Sequence, residues 1–239
     1  MAIAFVSSGD LGNNGGTTNS LTASYTCVGG SRNLLLVGFM GDQTFYGHDD
    51  VTSVTYNGIG MSLAAKSAPA PGGSDVDTRY NYIYYLYLGA NAVAAGAHNV
   101  IISCTGIHHL IAVAGEWSGV RQSGGADSSN TNRVYNNNVD VLTATTSTTT
   151  VARDCWAMLE VHSATESAGT GATLRREGAA FGSPGLFDSA SAISPPKSYS
   201  MTTTASSPNT QINHTMVSFA PAVSAVVPRR PLRIWKRVS

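Results

Sequence analysis

Charge is what this sequence has little of. Lys, Arg, Asp and Glu make up 12% of its 239 residues, about half the share of an ordinary soluble domain. Fourteen basic residues balance fourteen acidic ones, which excludes a generally basic nucleic-acid-coating protein and a chain held open by its own net charge. Cysteine is equally scarce. Cys27, Cys104 and Cys155 are odd in number and far apart, so pairing two leaves one over, and no C-x-x-C spacing points to zinc. They read as buried free thiols of a chain folded in a reducing cytoplasm. No apolar run approaches the roughly 18 residues of a membrane-spanning helix. The first residues, Met1 to Val6, lack the basic flank and the apolar length of a secretory signal. Also missing are a helical apolar period and the motifs G-x-S-x-G, H-E-x-x-H, a Walker loop and G-x-G-x-x-G before a helix. No catalytic residue, metal site or cofactor is therefore assigned.

What the chain has instead is hydroxyls and amides: 28 Ser, 24 Thr and 15 Asn beside 25 Gly. Short apolar or alternating segments rich in Thr, Val, Ile and Tyr are separated by Gly/Asn/Asp/Ser clusters, the pattern of an all-β protein. Strands are expected near 3–7, 18–28, 33–40, 51–57, 60–66, 79–88, 97–104, 107–118, 139–151, 155–163, 171–177, 198–205 and 211–219. Asn57-Gly58 lies between Val54-Thr-Tyr56 and Met61-Ser-Leu63. It predicts a type I′ turn and a hairpin over 51–66, because both central residues of that turn need positive φ. The segments 80–88, 32–40 and 110–114 carry bulky residues at both odd and even positions, as strands covered on both faces do. A stretch from Thr22 to Val37 is echoed from Thr148 to Leu159, each running from a Thr/Ser-rich strand through a turn into an apolar one. The polar run Arg121 to Asn138 reads as a surface loop rather than a domain boundary. Neither half alone supplies enough predicted strands to close two sheets comfortably. The fold class expected is thus all-β: a two-sheet antiparallel β-sandwich, jelly-roll-like, over residues 1–222, with an extended basic arm over 223–239.

Pairs of polar side chains offer little chemistry. His108 and His109 are neighbours on a strand and point to opposite faces. Glu160 and His162 share a face, with Glu116 near the end of another strand, but no third group completes an acid/base site. Asp49-Asp50 and Asp75-x-Asp77 read as solvated turn carboxylates. Asn213-His214-Thr215 matches a glycosylation acceptor inside a predicted strand and reads as coincidence.

The strongest compositional bias is C-terminal. Past Pro228 come Arg229, Arg230, Arg233, Lys236 and Arg237 with Leu232, Ile234 and Trp235, and no acidic residue. Pro221, Pro228 and Pro231 deny this stretch regular pairing. It reads as an arm that docks on a neighbour, with Ile234 and Trp235 as apolar anchors and Arg229, Arg230, Arg233, Lys236 and Arg237 pairing carboxylates. Net neutrality is then a cancellation: residues 1–228 hold nine bases against fourteen acids, a net of −5, and the arm carries +5.

The order Val54-Thr-Tyr-Asn-Gly58, Tyr84-Tyr-Leu86, Gly96-Ala-His-Asn-Val-Ile-Ile102 and Gly115-Glu-Trp-Ser-Gly-Val120 resembles a jelly-roll-like module of tailed-phage structural proteins and related bacterial surface sequences, over roughly residues 1–222. The resemblance implies a virion part, such as a head decoration (cement) protein or a tail or fibre component, and not an enzyme. The expected function is a decoration protein on the capsid surface, made in the host cytoplasm. As a homo-trimer, it would staple neighbouring copies of the major capsid protein by multivalent arms, with no membrane or nucleic acid as partner. One alternative is a carbohydrate- or receptor-binding module of a tail, fibre or baseplate, with Tyr80, Tyr82, Tyr84 and Trp117 as a stacking platform. Another is a single jelly-roll coat protein, although five basic charges are few for packaging a genome.

Overall fold

The computed structural model describes residues 2–42, 51–67, 80–136, 141–162, 166–178, 184–206 and 210–223. Every regular element among them is a strand. The first half holds β1 (Ala4–Asn13), β2 (Thr18–Cys27), β3 (Leu34–Asp42), β4 (Val51–Tyr56), β5 (Ile59–Gly60), β6 (Ser62–Lys66), β7 (Tyr80–Tyr87) and the long β8 (Gly96–Ser118). The second holds β9 (Ser128–Asn136), β10 (Val141–Thr149), β11 (Trp156–His162), β12 (Glu166–Ala168), β13 (Thr173–Glu177), β14 (Pro184–Asp188), β15 (Ser198–Ser206) and β16 (Thr210–Phe219).

β8 explains how the first half closes. Its first part, 96–104, pairs with β2 and β4, and its second part, 109–117, pairs with β1 and β3. One 23-residue strand therefore serves two sheets, which fold over each other around a first core containing Leu35, Val37, Phe39, Ile102 and Ala112. The two strands expected at 97–104 and 107–118 are one. The predicted turn is present, with Asn57 and Gly58 at φ 52° and 73°. The hairpin is shorter than 51–66, however. β5 pairs with β4 through Ile59 and Gly60, after which β6 leaves to pair with β7 in the other sheet.

Pairing in both halves follows one scheme. In the first, β1 pairs with the end of β8, β2 with its start, and β3 with β7 and β8. In the second, β9 pairs with β16, β10 with β15, and β11 with β14 and β16. First with last, second with seventh and third with sixth is the rolled-up hairpin of a jelly roll. The echo between 22–37 and 148–159 falls on equivalent strands, β2–β3 and β10–β11. Each half thus closes a sandwich, contrary to the expectation that neither half alone has enough strands. β9, β12 and β14 lie outside the strands expected from the sequence. β9 (SSNTNRVYN) has no apolar alternation because it is an edge strand. Its Asn130 and Asn132 amides donate to the Ser147 and Thr145 carbonyls on β10, each at 2.7 Å, so side chains fasten one sheet edge to the other.

The two sandwiches pack inner sheet to inner sheet. β1 lies against β13 and β6 against β9; β8 meets β14, β7 meets β16, and β3 meets β11. Under the equivalence of the halves these contacts exchange partners, and β3–β11 maps onto itself. That is the signature of an isologous, two-fold-like interface, here within one chain. The inner strands are therefore buried on both faces. Leu34 and Leu36 turn to the core between the halves while Leu35, Val37 and Phe39 turn to the first. Likewise Trp156 and Met158 face the middle core, and Ala157, Leu159 and Val161 face the third, inside the second sandwich. The continuous apolar runs at 32–40, 80–88 and 110–114 have this cause.

Candidate functional site

The aromatic residues proposed as a stacking platform are largely interior. Trp117 is completely buried and gives its indole N–H to Asp188. Tyr82 is buried and stacks on Phe39 at 4.8 Å. Tyr80 and Tyr84 are half-buried and pack against the first core. A ligand approaching from solvent has no access to Trp117 or Tyr82, which corrects that assignment. β7 sits between two cores, with Tyr82 and Leu86 turned to the first and Ile83 and Tyr87 to the one between the halves.

Other polar candidates resolve into structural devices. Glu116, at the end of β8, accepts hydrogen bonds from the Val28 and Gly29 amides and from Asn33 Nδ2, fixing the β2–β3 connection. Asp127 does the same for the equivalent β10–β11 connection, accepting from Val151 N at 2.6 Å and Ala152 N at 3.0 Å. Asp188 takes Trp117 on one side and Arg175 on the other, both Arg175 contacts at 2.8 Å; that guanidinium also lies 4.6 Å above the Phe5 ring. This cluster ties the two halves together with charge-assisted bonds.

Two buried titratable groups stand out. His214, on β16, is completely buried between Thr146 Oγ1 on Nδ1 at 2.9 Å and Thr203 Oγ1 on Nε2 at 2.8 Å. Burial pushes its pKa down to about 3, so the ring is neutral. Asn213 and Thr215 beside it are also fully buried, and the Asn-His-Thr triplet cannot carry a glycan. Glu160, on β11, is fully buried in the face turned to the first half, and neither carboxyl oxygen has a hydrogen-bond partner. Burial raises its pKa well above the usual carboxylate range, while the neighbouring Asn81 works in the opposite direction. Gly38 makes room for it: a Cβ there would lie 2.7 Å from Glu160 Cγ. His162 and His108 have side chains outside the described residues, as have Asp49, Asp50, Asp75 and Asp77. Cys27, Cys104 and Cys155 are buried free thiols, as expected. Burial, with Asp127 nearby, pushes Cys155 up to about 12. Among the described residues no group of three possible metal ligands comes together.

The arm residues Arg229, Arg230, Arg233, Ile234, Trp235, Lys236 and Arg237 lie outside the described residues, but the root of the arm is defined. Val120 and Pro221 form an antiparallel bridge, flanked by Arg121 N to Ala220 O at 3.0 Å and Ala222 N to Gly119 O at 2.8 Å. The two sandwiches' exit segments thus cross each other at the internal two-fold-like relation. A cleft of about 340 Å³ opens at this crossing, lined by Arg121, Arg153, Asp154 and the arm root to Val223. Arg121 Nε is shielded from solvent and has no hydrogen-bond acceptor, whereas Arg153 and Asp154 are exposed.

No family model matches this chain, and no curated protein does. Among solved structures, it is similar to the major capsid protein P2 from Bacteriophage PM2. The identity is 10% and the TM-score 0.26, over 94% of this chain and 99% of that one. At that TM-score the likeness carries no argument about fold or role.

Proposed function

We propose that this chain is a non-enzymatic structural part of a virion, most specifically a head decoration protein that sits on the outer capsid and bridges neighbouring major capsid subunits. The observation that carries this reading is the architecture itself. Two jelly rolls are fused face to face into one block in which the carboxylates of Glu116, Asp127 and Asp188 hold loops and sheets together. Jelly rolls recur in viral capsids and in lectins, and a rigid block with a basic arm suits attachment more than turnover. A trimer with three arms would gain avidity from individually weak contacts. The lectin-like alternative loses its aromatic platform to the core, since Trp117 and Tyr82 are buried.

The test is the position and copy number of the chain in an intact particle. A shell location at regular sites, with capsids lacking it less resistant to heat or osmotic shock, is the expected result. Unchanged capsid robustness together with no shell binding sinks the proposal. A variant ending at Pro228 is expected to fold normally and fail to join the particle; incorporation at the wild-type level would show that the arm is not the attachment device.

A further inference from the structure

We propose that the seam between the two jelly rolls holds an internal water molecule, bound by Asn81 of the first half and by Glu160 and Thr215 of the second, and that this water fixes how the halves register. The first ground is placement. Along β7, Ile83 and Tyr87 face the core between the halves; along β11, Trp156 and Met158 do; along β16, Val217 and Phe219 do. Asn81, Glu160 and Thr215 share those faces by the two-residue period of a strand. Glu160 and Thr215 are directly opposed in the β11–β16 register, which puts their Cβ atoms about 5 Å apart. Asn81 reaches across the seam to the same place. Its Nδ2 donates at 3.0 Å to the carbonyl of Asn213, two residues before Thr215, and, second to burial, its side chain is what shifts the Glu160 carboxyl.

The second ground is an unmet hydrogen-bond demand. All three residues are completely buried. Yet Asn81 Oδ1, both carboxyl oxygens of Glu160 and Thr215 Oγ1 have no hydrogen-bond partner within the protein. So many buried polar atoms left unpaired in one apolar layer would be costly. The β3 strand adds no polar side chain here, since Gly38 lies against Glu160 Cγ.

The chemistry of the set selects water as the guest. A neutral carboxyl, which burial favours, offers one O–H donor and one carbonyl acceptor. The threonine hydroxyl is a second donor, and Asn81 Oδ1 a second acceptor. One water has two donors and two acceptors and meets all four. A hard cation such as calcium wants about six to eight oxygens, and a lone carboxylate with one amide and one hydroxyl oxygen falls short. Because neither half supplies the site alone, sliding one jelly roll over the other strands its polar atoms in an apolar seam, which makes the hydrated cluster a register pin.

A high-resolution crystal structure of the full-length protein, together with water-oxygen magnetic relaxation dispersion to count long-lived internal waters, tests this. Expected is a water at about 2.5–3.2 Å from at least three of the four atoms. Glu160→Met, apolar and of similar length, should lose one water's share of the dispersion amplitude. Asn81→Ala and Thr215→Val should each shift the urea midpoint, and the double variant should shift it by less than the sum, because one guest serves both side chains. Direct bonds among Asn81, Glu160 and Thr215 with no water between them, a cation at that position, an unchanged amplitude in Glu160→Met, or additive midpoint shifts overturn the inference. Should a variant fail to fold, the wild-type crystal structure decides by itself.

Discussion

The indole Nε1–H of Trp117, in the first sandwich, donates to Oδ2 of Asp188 in the second at 2.8 Å, and both side chains are completely buried. Because Asp188 also receives Arg175 in two bonds, one carboxylate balances a neutral and a cationic donor at the seam between halves. Trp117→Phe keeps most of the apolar bulk and removes the donor. It should cost about 1–3 kcal/mol, read as a shift in the urea unfolding midpoint. Phe5, which meets Trp117 edge-on at 5.7 Å, should remain packed against the replacement ring.

Glu160 makes stability fall as pH rises. The unfolded carboxyl releases its proton near pH 4.5, whereas burial keeps the folded one protonated well above that value. Folding therefore loses about 1.4 kcal/mol for each pH unit between the ordinary and the raised value. Glu160→Gln should flatten that slope and raise the melting temperature at pH 8. Gly38→Ala, pressing a methyl 2.7 Å from Glu160 Cγ, should destabilise by about 1–3 kcal/mol. A Gln variant with the same alkaline slope would show that another group is responsible.

His214 acts in the opposite direction. Its folded pKa is depressed to about 3 from 6.5, so its contribution is complete above pH 6.5 and is lost as pH falls toward 3. At pH 5 the loss relative to pH 7 should be about 2 kcal/mol. Chemical denaturation across pH 4–7, wild type against His214→Gln, checks it: the stability difference between the two should change by about 2 kcal/mol between pH 5 and pH 7, on top of the opposite Glu160 slope that both proteins share.

Glu116→Gln leaves the side chain's shape and removes its charge from the Val28, Gly29 and Asn33 donors. A loss of about 1–3 kcal/mol is expected. Hydrogen exchange should quicken first at the Val28 and Gly29 amides, because their acceptor is the group altered. Asp127→Asn should do the same at Val151 and Ala152, independently of the first change.

By itself the sequence determined that this is an antiparallel β protein, where most strands lie, that Asn57-Gly58 turns with positive φ, and that strands 32–40, 80–88 and 110–114 are covered twice. Those features are local: side-chain period, β-branching and turn chemistry act between near neighbours. Even the duplication showed, faintly, in the echo of 22–37 at 148–159. Only the tertiary structure decided that β8 serves two sheets, that the polar β9 is an edge strand, and that the second half closes its own sandwich. Those outcomes depend on which strands meet across many tens of residues, and composition does not encode pairing. The same reason moved Trp117 and Tyr82 from a proposed ligand platform into the core. An aromatic residue on a strand looks alike from the sequence whether solvent or a second sheet lies above it, and here the second jelly roll supplies that sheet.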